Sequence, residues 1–496
     1  MAVNLRRPIL VGGVGLSLSL WMLQSLHHSV GQLGEFSLLG AVALGTGLWL
    51  FGQKNSKNIE LSLTASPLER ETVEKAIAQA ERLINHLETE AQNHEAITQF
   101  RQQLAQLTIE LERQEIQLAV TGGKGVGKTK LVQVLASSWL PQQQQRLGIK
   151  ETPALFVGMD TDVAAEITAR EVALNSDLVV FVTTGDLTDT EFQTLQQLKA
   201  AHQRILLVFN KQDQYVPTER AIVLQQLRQR VVGRLGAEDV VAIASNPVPL
   251  KVRQHQSDAS VQEWMEEQAP DLTALTERLG YIVAQEGQQL VWATTMRAAG
   301  ALKAEVKAAL NQVRRDRALP IIEQYQWIAA AAAFANPVPA LDLLATAAIS
   351  AQLIKDLGEI YQQSFSLQQA QASAKTLGSL MLKLSLVELS TQTIGSILKG
   401  NAVTYVAGGA VQGVSAAYLT RLAGLSLIEY FQEQEVSETT GQAFNLERLG
   451  QKMQAVFQQN QRMAFLQGFV KQVVGRLVPD APKSEAVNSQ TAAPAV

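Results

Sequence analysis

Cysteine is absent from this 496-residue chain, which excludes a disulfide framework, thiolate catalysis and cysteine-ligated zinc or iron–sulfur sites. Charge is also scarce: 18% of residues carry one, against about a quarter in an average globular protein. With 46 acidic and 42 basic side chains the formal net charge is −4, so no global field draws the chain to nucleic acid. Histidine is limited to His27, His28, His86, His94, His202 and His255, with no Glu-spaced helical pair of the kind that binds zinc. What is plentiful is apolar surface: 46% hydrophobic residues exclude a disordered chain, and the length allows roughly two to four domains.

The missing charge is concentrated at one end. Pro8 to Gly34 is a run of 27 residues without charge, and after Glu35 another 18 follow from Phe36 to Gln53. Each run approaches the roughly 20 apolar residues with which a helix crosses a hydrocarbon layer of about 30 Å. Trp21 and Trp49 sit near segment ends, Arg6 and Arg7 precede the first, and Lys54 and Lys57 follow the second. Interfacial aromatics and the positive-inside bias therefore predict a transmembrane helical hairpin over residues 1–57, two spans with both ends cytoplasmic. A secretory signal peptide is the competing reading. The second apolar segment and the nucleotide site described below oppose it.

Residues 58–114 read as a charged helical arm. Ser66-Pro67-Leu68-Glu69 has the form of a capping box, and Val73, Ile77, Ala80, Leu83, Ile84 and Leu87 then recur at helical spacing. A second helix is expected from about His94 to Arg113, the pair packing on a neighbour rather than forming a coiled coil, since few heptads are sustained. From Glu115 short apolar runs alternate with helical stretches, the pattern of a parallel α/β sheet: Ile116 to Val120, Leu178 to Val182, Ile205 to Phe209 and Val240 to Ile243. This domain is assigned to 115–285, an all-helical region to 286–478, and a disordered Pro/Ala/Ser tail to 479–496.

Gly122-Gly123-Lys124-Gly125-Val126-Gly127-Lys128-Thr129, with Lys130 opening the next helix, fits the phosphate-loop pattern in its required place between a strand and a helix. In such a loop successive backbone N–H groups point at phosphates. Lys128 would bridge the β- and γ-phosphates, and the Thr129 hydroxyl would ligate Mg²⁺. Asn210-Lys211-Gln212-Asp213 follows an apolar run at the carboxyl end of a parallel strand, where α/β sheets bind ligands. An aspartate there can accept both N1–H and N2–H of guanine, a pair of donors that adenine lacks. The Lys211 stem can cover the base, and Asn210 can tie this loop to the phosphate loop.

The two motifs, with Ser176-Asp177-Leu178-Val179-Val180-Phe181-Val182 between them, resemble an Era/septin-type GTPase domain of the translation-factor class over roughly residues 115–250. The resemblance implies GTP or GDP with Mg²⁺. It also places Val241-Ala242-Ile243-Ala244-Ser245-Asn246 at the last base-contacting loop, with Ser245 and Asn246 at the base. The fold class that follows is an α/β P-loop NTPase with an N-terminal transmembrane hairpin and a C-terminal all-α domain. Downstream, Asn336-Pro337-Val338-Pro339-Ala340-Leu341-Asp342 resembles helical domains of unknown function that follow such G domains in bacterial membrane-associated proteins, and the whole arrangement is similar to a cyanobacterial type.

The chain departs from that family at its third motif. Glu151-Thr152-Pro153-Ala154 stands where the family has Asp-x-x-Gly. Glu151 is the first choice for the acidic Mg²⁺ partner acting through water, with Asp160 or Asp162 as substitutes, and Ala154 cannot cheaply adopt a positive φ. The interval from Thr129 to Glu151 is about half the family's length, so the first switch loop is expected to be truncated and hydrolysis slow. Lys124 could bring positive charge to the γ-phosphate in cis, or be a solvated loop lysine.

In the helical half, Arg314, Arg315 and Arg317 precede a stretch from Gln324 to Ile354 whose one charge is Asp342, and Gly400 to Thr420 has none. Gly408, Gly409, Gly413, Ala416 and Ala417 give the second stretch a small-residue face that permits close helix packing in either solvent. A buried bundle and membrane insertion both remain open. The expected function is a membrane-anchored GTP-binding switch at the cytoplasmic face, slow or partner-activated as a GTPase, with guanine nucleotide, membrane lipid and an unknown protein effector as partners. The alternatives are a non-hydrolysing scaffold whose helical domain binds a partner or lipid, and a dynamin-like membrane remodeller, against which stands an expected lack of long helical stalk segments.

Overall fold

A computed structural model describes residues 68–92, 94–156, 163–255, 261–335, 339–399, 410–433, 444–461 and 463–477. The expected transmembrane hairpin, Asp160, Asp162 and the tail lie outside the described residues. Among the described residues no helix is long and apolar enough to cross a membrane.

Helices α1 (Arg70–Glu90) and α2 (Ala96–Leu111) form the arm. Helix α1 begins with Glu69 at its N-cap and no side-chain cap bond, so the expected Ser66 capping box is not the start that forms; Ser66 itself lies outside the described residues. Ala80, Ile84 and Leu87 of α1 and Phe100 and Leu107 of α2 close over Ala299, Leu302, Val306 and Leu310, so the arm packs on its neighbour.

Strands β1 (Ile116–Gly122), β2 (Leu147–Glu151), β3 (Leu178–Thr183), β4 (Arg204–Phe209) and β5 (Val240–Ala242) form a parallel sheet in the order β2-β1-β3-β4-β5. Parallel strands are covered on both faces, which is why β3 is buried at every residue and reads as one apolar run. Helices α3 (Lys128–Val134), α4 (Val163–Leu174), α5 (Asp189–Ala200) and α6 (Pro217–Arg230) connect the strands. Leu118, Val120, Val180 and Leu206 face one core with Leu131, Leu275 and Leu279; Val179, Phe181, Ile205 and Phe209 face the other with Leu195 and Leu227. Beyond the sheet, β6 (Leu250–His255) and β7 (Val261–Glu266) form an antiparallel hairpin that the sequence reading did not anticipate.

The next helix, α7 (Thr273–Ala335), runs 63 residues, about 95 Å at 1.5 Å per residue. It corrects the expectation that long helical segments are lacking. It serves three cores in turn: Leu275, Leu279, Ile282 and Leu290 pack on the sheet, Ala299 to Leu310 on the arm, and Ala318, Ile322 and Ala330 on the C-terminal helices. The expected domain boundary at 285/286 falls inside it.

The remaining helices are α8 (Pro339–Ile360), α9 (Leu367–Lys383), α10 (Leu386–Lys399), α11 (Ala410–Glu433), α12 (Leu446–Asn460) and α13 (Met463–Leu477). Helix α11, which contains the end of the uncharged Gly400 to Thr420 stretch, buries Gly413, Ala417, Tyr418, Leu427 and Ile428 within this bundle. Close approach to α7 rests on Gly424, where a Cβ would stand 2.6 Å from Ile322 Cγ1. The three arginines that precede the Gln324 to Ile354 stretch are engaged in the fold. Arg314, with a side chain 4% exposed, pairs with Glu90 at 2.6 Å; Arg317 also pairs with Glu90, and Arg315 pairs with Glu429.

Candidate nucleotide-binding site

The phosphate loop spans the gap between β1 and α3, and two of its glycines are sterically required. Gly122 has φ 147° and a Cβ there would lie 2.3 Å from the Val182 carbonyl oxygen; Gly127 has φ 95° and a Cβ would lie 2.4 Å from Asn210 Nδ2. An L side chain would meet both backbone strain and collision. Val126 is buried and anchors the loop, while Lys124, Gly125, Thr129 and Lys130 are exposed. Lys128 is buried, its Nζ donating to the carbonyls of Gly122 at 2.9 Å and Gly123 at 2.8 Å. Burial pushes its pKa down, and Glu151 pushes it partly back up.

The guanine motif is tied to that loop by direct bonds. Asn210, fully buried, donates from Nδ2 to Val126 O at 2.8 Å and to Ser245 Oγ at 2.9 Å, and its Oδ1 accepts from the Ser245 N–H at 3.0 Å. One asparagine thus joins all three loops. Lys211 sits at φ 61° and donates to Gly125 O at 2.8 Å; a positive φ off glycine carries strain, which here aims the lysine at the phosphate loop. Asp213 accepts from the Val248 N–H at Oδ2, 2.9 Å away, while its Oδ1 is buried and has no hydrogen-bond partner. An unmatched buried carboxylate oxygen costs free energy until a donor arrives. Asn246 is exposed beside this group.

Two contacts in this region escaped the sequence reading. Gln212 donates from Nε2 to Asp271 Oδ2 at 3.2 Å, and Asp271 exchanges both backbone bonds with Ala244. Asp271 lies two residues before α7, so the base loop and the root of the long helix are one hydrogen-bonded piece. No motif announces Asp271 or Val248, because both arrive by tertiary approach.

At the third motif the expected pair does meet: Thr129 Oγ1 donates to Glu151 Oε1 at 2.7 Å. A hydroxyl and a carboxylate at the mouth of a phosphate loop are hard oxygen groups of the kind that suit Mg²⁺; Thr129 would hold the ion directly and Glu151 through water. Beyond Glu151 the chain keeps to β1, Thr152 N–H donating to Val120 O and Leu155 N–H to Gly122 O. The positive φ in this segment falls on Phe156, at 62°, and not on Ala154. From Thr129 to β2 the chain is helix through Gln142 and then four residues, so the described interval holds no extended switch loop.

The parallel sheet and the phosphate loop, with the Asn-Lys-x-Asp loop bonded to it, fit a P-loop α/β fold followed by a helical region. A family model described as a domain of unknown function, DUF697, matches residues 297–481. It covers the part for which a resemblance to helical domains of unknown function was drawn. No curated protein matches the chain. Among solved structures the chain is similar to a GTP-binding protein from the hyperthermophilic archaeon Sulfolobus solfataricus in complex with GDP, at 16% identity over 45% of this chain and 68% of that one, TM-score 0.25. It is also similar to LeoA, a bacterial dynamin GTPase from ETEC, at 12% identity over 82% and 94%, TM-score 0.23. An oligomerised bacterial dynamin pair aligns at 13% identity over 87% and 84%, TM-score 0.23. Scores this low carry no argument for function, which rests on the site's geometry.

Proposed function

We propose that the chain is a GTP- and GDP-binding protein with slow or partner-activated GTPase activity, held at the cytoplasmic face of a membrane by its N-terminal segments. The observation that carries the nucleotide reading is the buried, unpartnered Asp213 Oδ1 beside a fully engaged Oδ2. It is an acceptor with a vacancy for a base donor, on a loop bonded to the phosphate loop. Lys128 and the loop amides would carry the phosphate charge, and Thr129 with Glu151 would hold Mg²⁺. Bound Mg²⁺ supplies charge neutralisation across the β- and γ-phosphates. The short described interval from Thr129 to β2, which holds no extended switch loop, supports slow hydrolysis. Lys124, exposed on the phosphate loop, adds positive charge near the γ-phosphate in this reading, and Lys124→Ala tests that role through the single-turnover rate.

A second reading, membrane remodelling, is favoured by the 63-residue α7 rooted in the base loop through Asp271. Single-turnover hydrolysis by the full chain in detergent and in liposomes tests the account. The expected rate is well below one per second without a partner; several per second in detergent would overturn the slow-GTPase reading. Nucleotide-dependent deformation of the liposomes would favour remodelling over a switch.

A further inference from the structure

Far from the nucleotide loops, α7, α11 and α13 line an open cavity of about 480 Å³. Its polar lining is Glu323, Gln326, Arg421 and Gln472. Gln326 is 3% exposed, and its Oε1 is buried without a hydrogen-bond partner; the Nε of Arg421 is buried and unpartnered as well. The Arg421 guanidinium lies over the Phe465 ring at 5.8 Å, and no ion pair of it forms among the described residues. Of the nearby charges, Arg315 pairs with Glu429, and Glu323, which also lines the cavity, accepts from Trp327 Nε1 and faces Arg476 at 3.9 Å. Burial pushes the Arg421 pKa down; Glu323 raises it and Arg315 lowers it. Phe465 and Phe469 stack at 6.1 Å as an apolar wall, and a Cβ on Gly468 between them would meet nothing within 4 Å.

A half-buried guanidinium without an acceptor and a buried amide oxygen without a donor are both costly. Their placement beside an apolar wall states the chemistry that would relieve them. A guanidinium fork fits phosphate oxygens, the amide oxygen needs a hydroxyl, and the phenyl wall needs hydrocarbon. We propose that this cavity binds an organic phosphate, with Arg421 on the phosphate, Gln326 on a hydroxyl of the esterified alcohol and Phe465 with Phe469 on the apolar body. The shared chemistry is a glycerophosphate-like group, from a phospholipid headgroup or from a free phosphate ester. This site is independent of the nucleotide reading.

The test is calorimetric titration of the full chain, in non-ionic detergent, with two probes: dihexanoyl phosphatidylglycerol below its micellar concentration and glycerol 3-phosphate. At least one binds the wild type in this account. Arg421→Gln weakens that binding at least about tenfold, Arg421→Lys restores part of it, and Gln326→Leu weakens it severalfold. Binding of the lipid alone assigns a headgroup source; binding of glycerol 3-phosphate assigns a soluble one. Far-UV circular dichroism checks that Arg421→Gln folds, and Gln326→Leu, which leaves the charge intact, carries the test if it does not. Absence of binding by both probes, or equal affinity in wild type and the folded variants, overturns the proposal.

Discussion

Replacing Asp213 by Asn probes the base site with a change of one atom. In the free protein Oδ2 accepts the Val248 N–H at 2.9 Å and Oδ1 is buried with no partner. Asparagine keeps its oxygen on Val248 and turns an NH₂ toward the base, so the charge-assisted bond that Oδ1 would accept from guanine is lost and donor faces donor. At about 1.5–3 kcal/mol for a hydrogen bond to a charged group and about 1–3 kcal/mol for the donor left unmatched, the loss is about 2.5–6 kcal/mol, or roughly 10²–10⁴ in Kd. Xanthine carries a carbonyl where guanine carries its amino group, so the variant is expected to gain xanthosine triphosphate as it loses GTP. Competition of each nucleotide against a fluorescent GDP analogue measures both. A GTP-over-xanthosine-triphosphate preference unchanged within threefold in the variant would refute the assignment of Asp213 to the base.

Gly127→Ala is expected to abolish nucleotide binding while leaving the fold, because its Cβ would enter the space of Asn210 Nδ2, the atom that joins three loops; retained GTP affinity would contradict this. Glu90→Gln leaves the buried Arg314 without a counter-charge and is expected to cost about 3 kcal/mol, roughly 6–12 °C in the unfolding midpoint of the helical region by calorimetry. For Lys128 the ammonium is the phosphate-binding form, and burial lowers its pKa. Affinity for inorganic tripolyphosphate, which has no base to titrate, is therefore full below that lowered pKa and falls as pH rises through it, before the ordinary lysine range near 10.4. An affinity flat to pH 10 would contradict the burial of this amine.

The site was legible in sequence to the extent that it is local. Gly122 to Thr129 and Asn210 to Asp213 are contiguous motifs whose backbone geometry follows from glycine placement and from their position at strand ends, and the structure brings them together. What tertiary approach supplies could not be read: Val248 on Asp213, Asp271 on Gln212, and the Arg314 side chain buried on Glu90. Strand β2 is not among the apolar runs of the sequence, since an edge strand that is half-buried to exposed lacks the continuous apolar run of β3. The β6–β7 hairpin has exposed Lys251 and Arg253 across from Glu263, so no buried face gives it an alternating pattern. Helix α7 has three partners in turn, and no single apolar stripe runs its length to betray 63 residues of helix.

The central claim, that Asp213 and the phosphate loop make a guanine-nucleotide site, is tested most directly by equilibrium titration of the wild-type full chain with GTP, GDP and ATP under one Mg²⁺ buffer. GTP and GDP are expected to bind at least about a hundredfold more tightly than ATP. Equal affinity for ATP and GTP, or no binding of GTP, would contradict it.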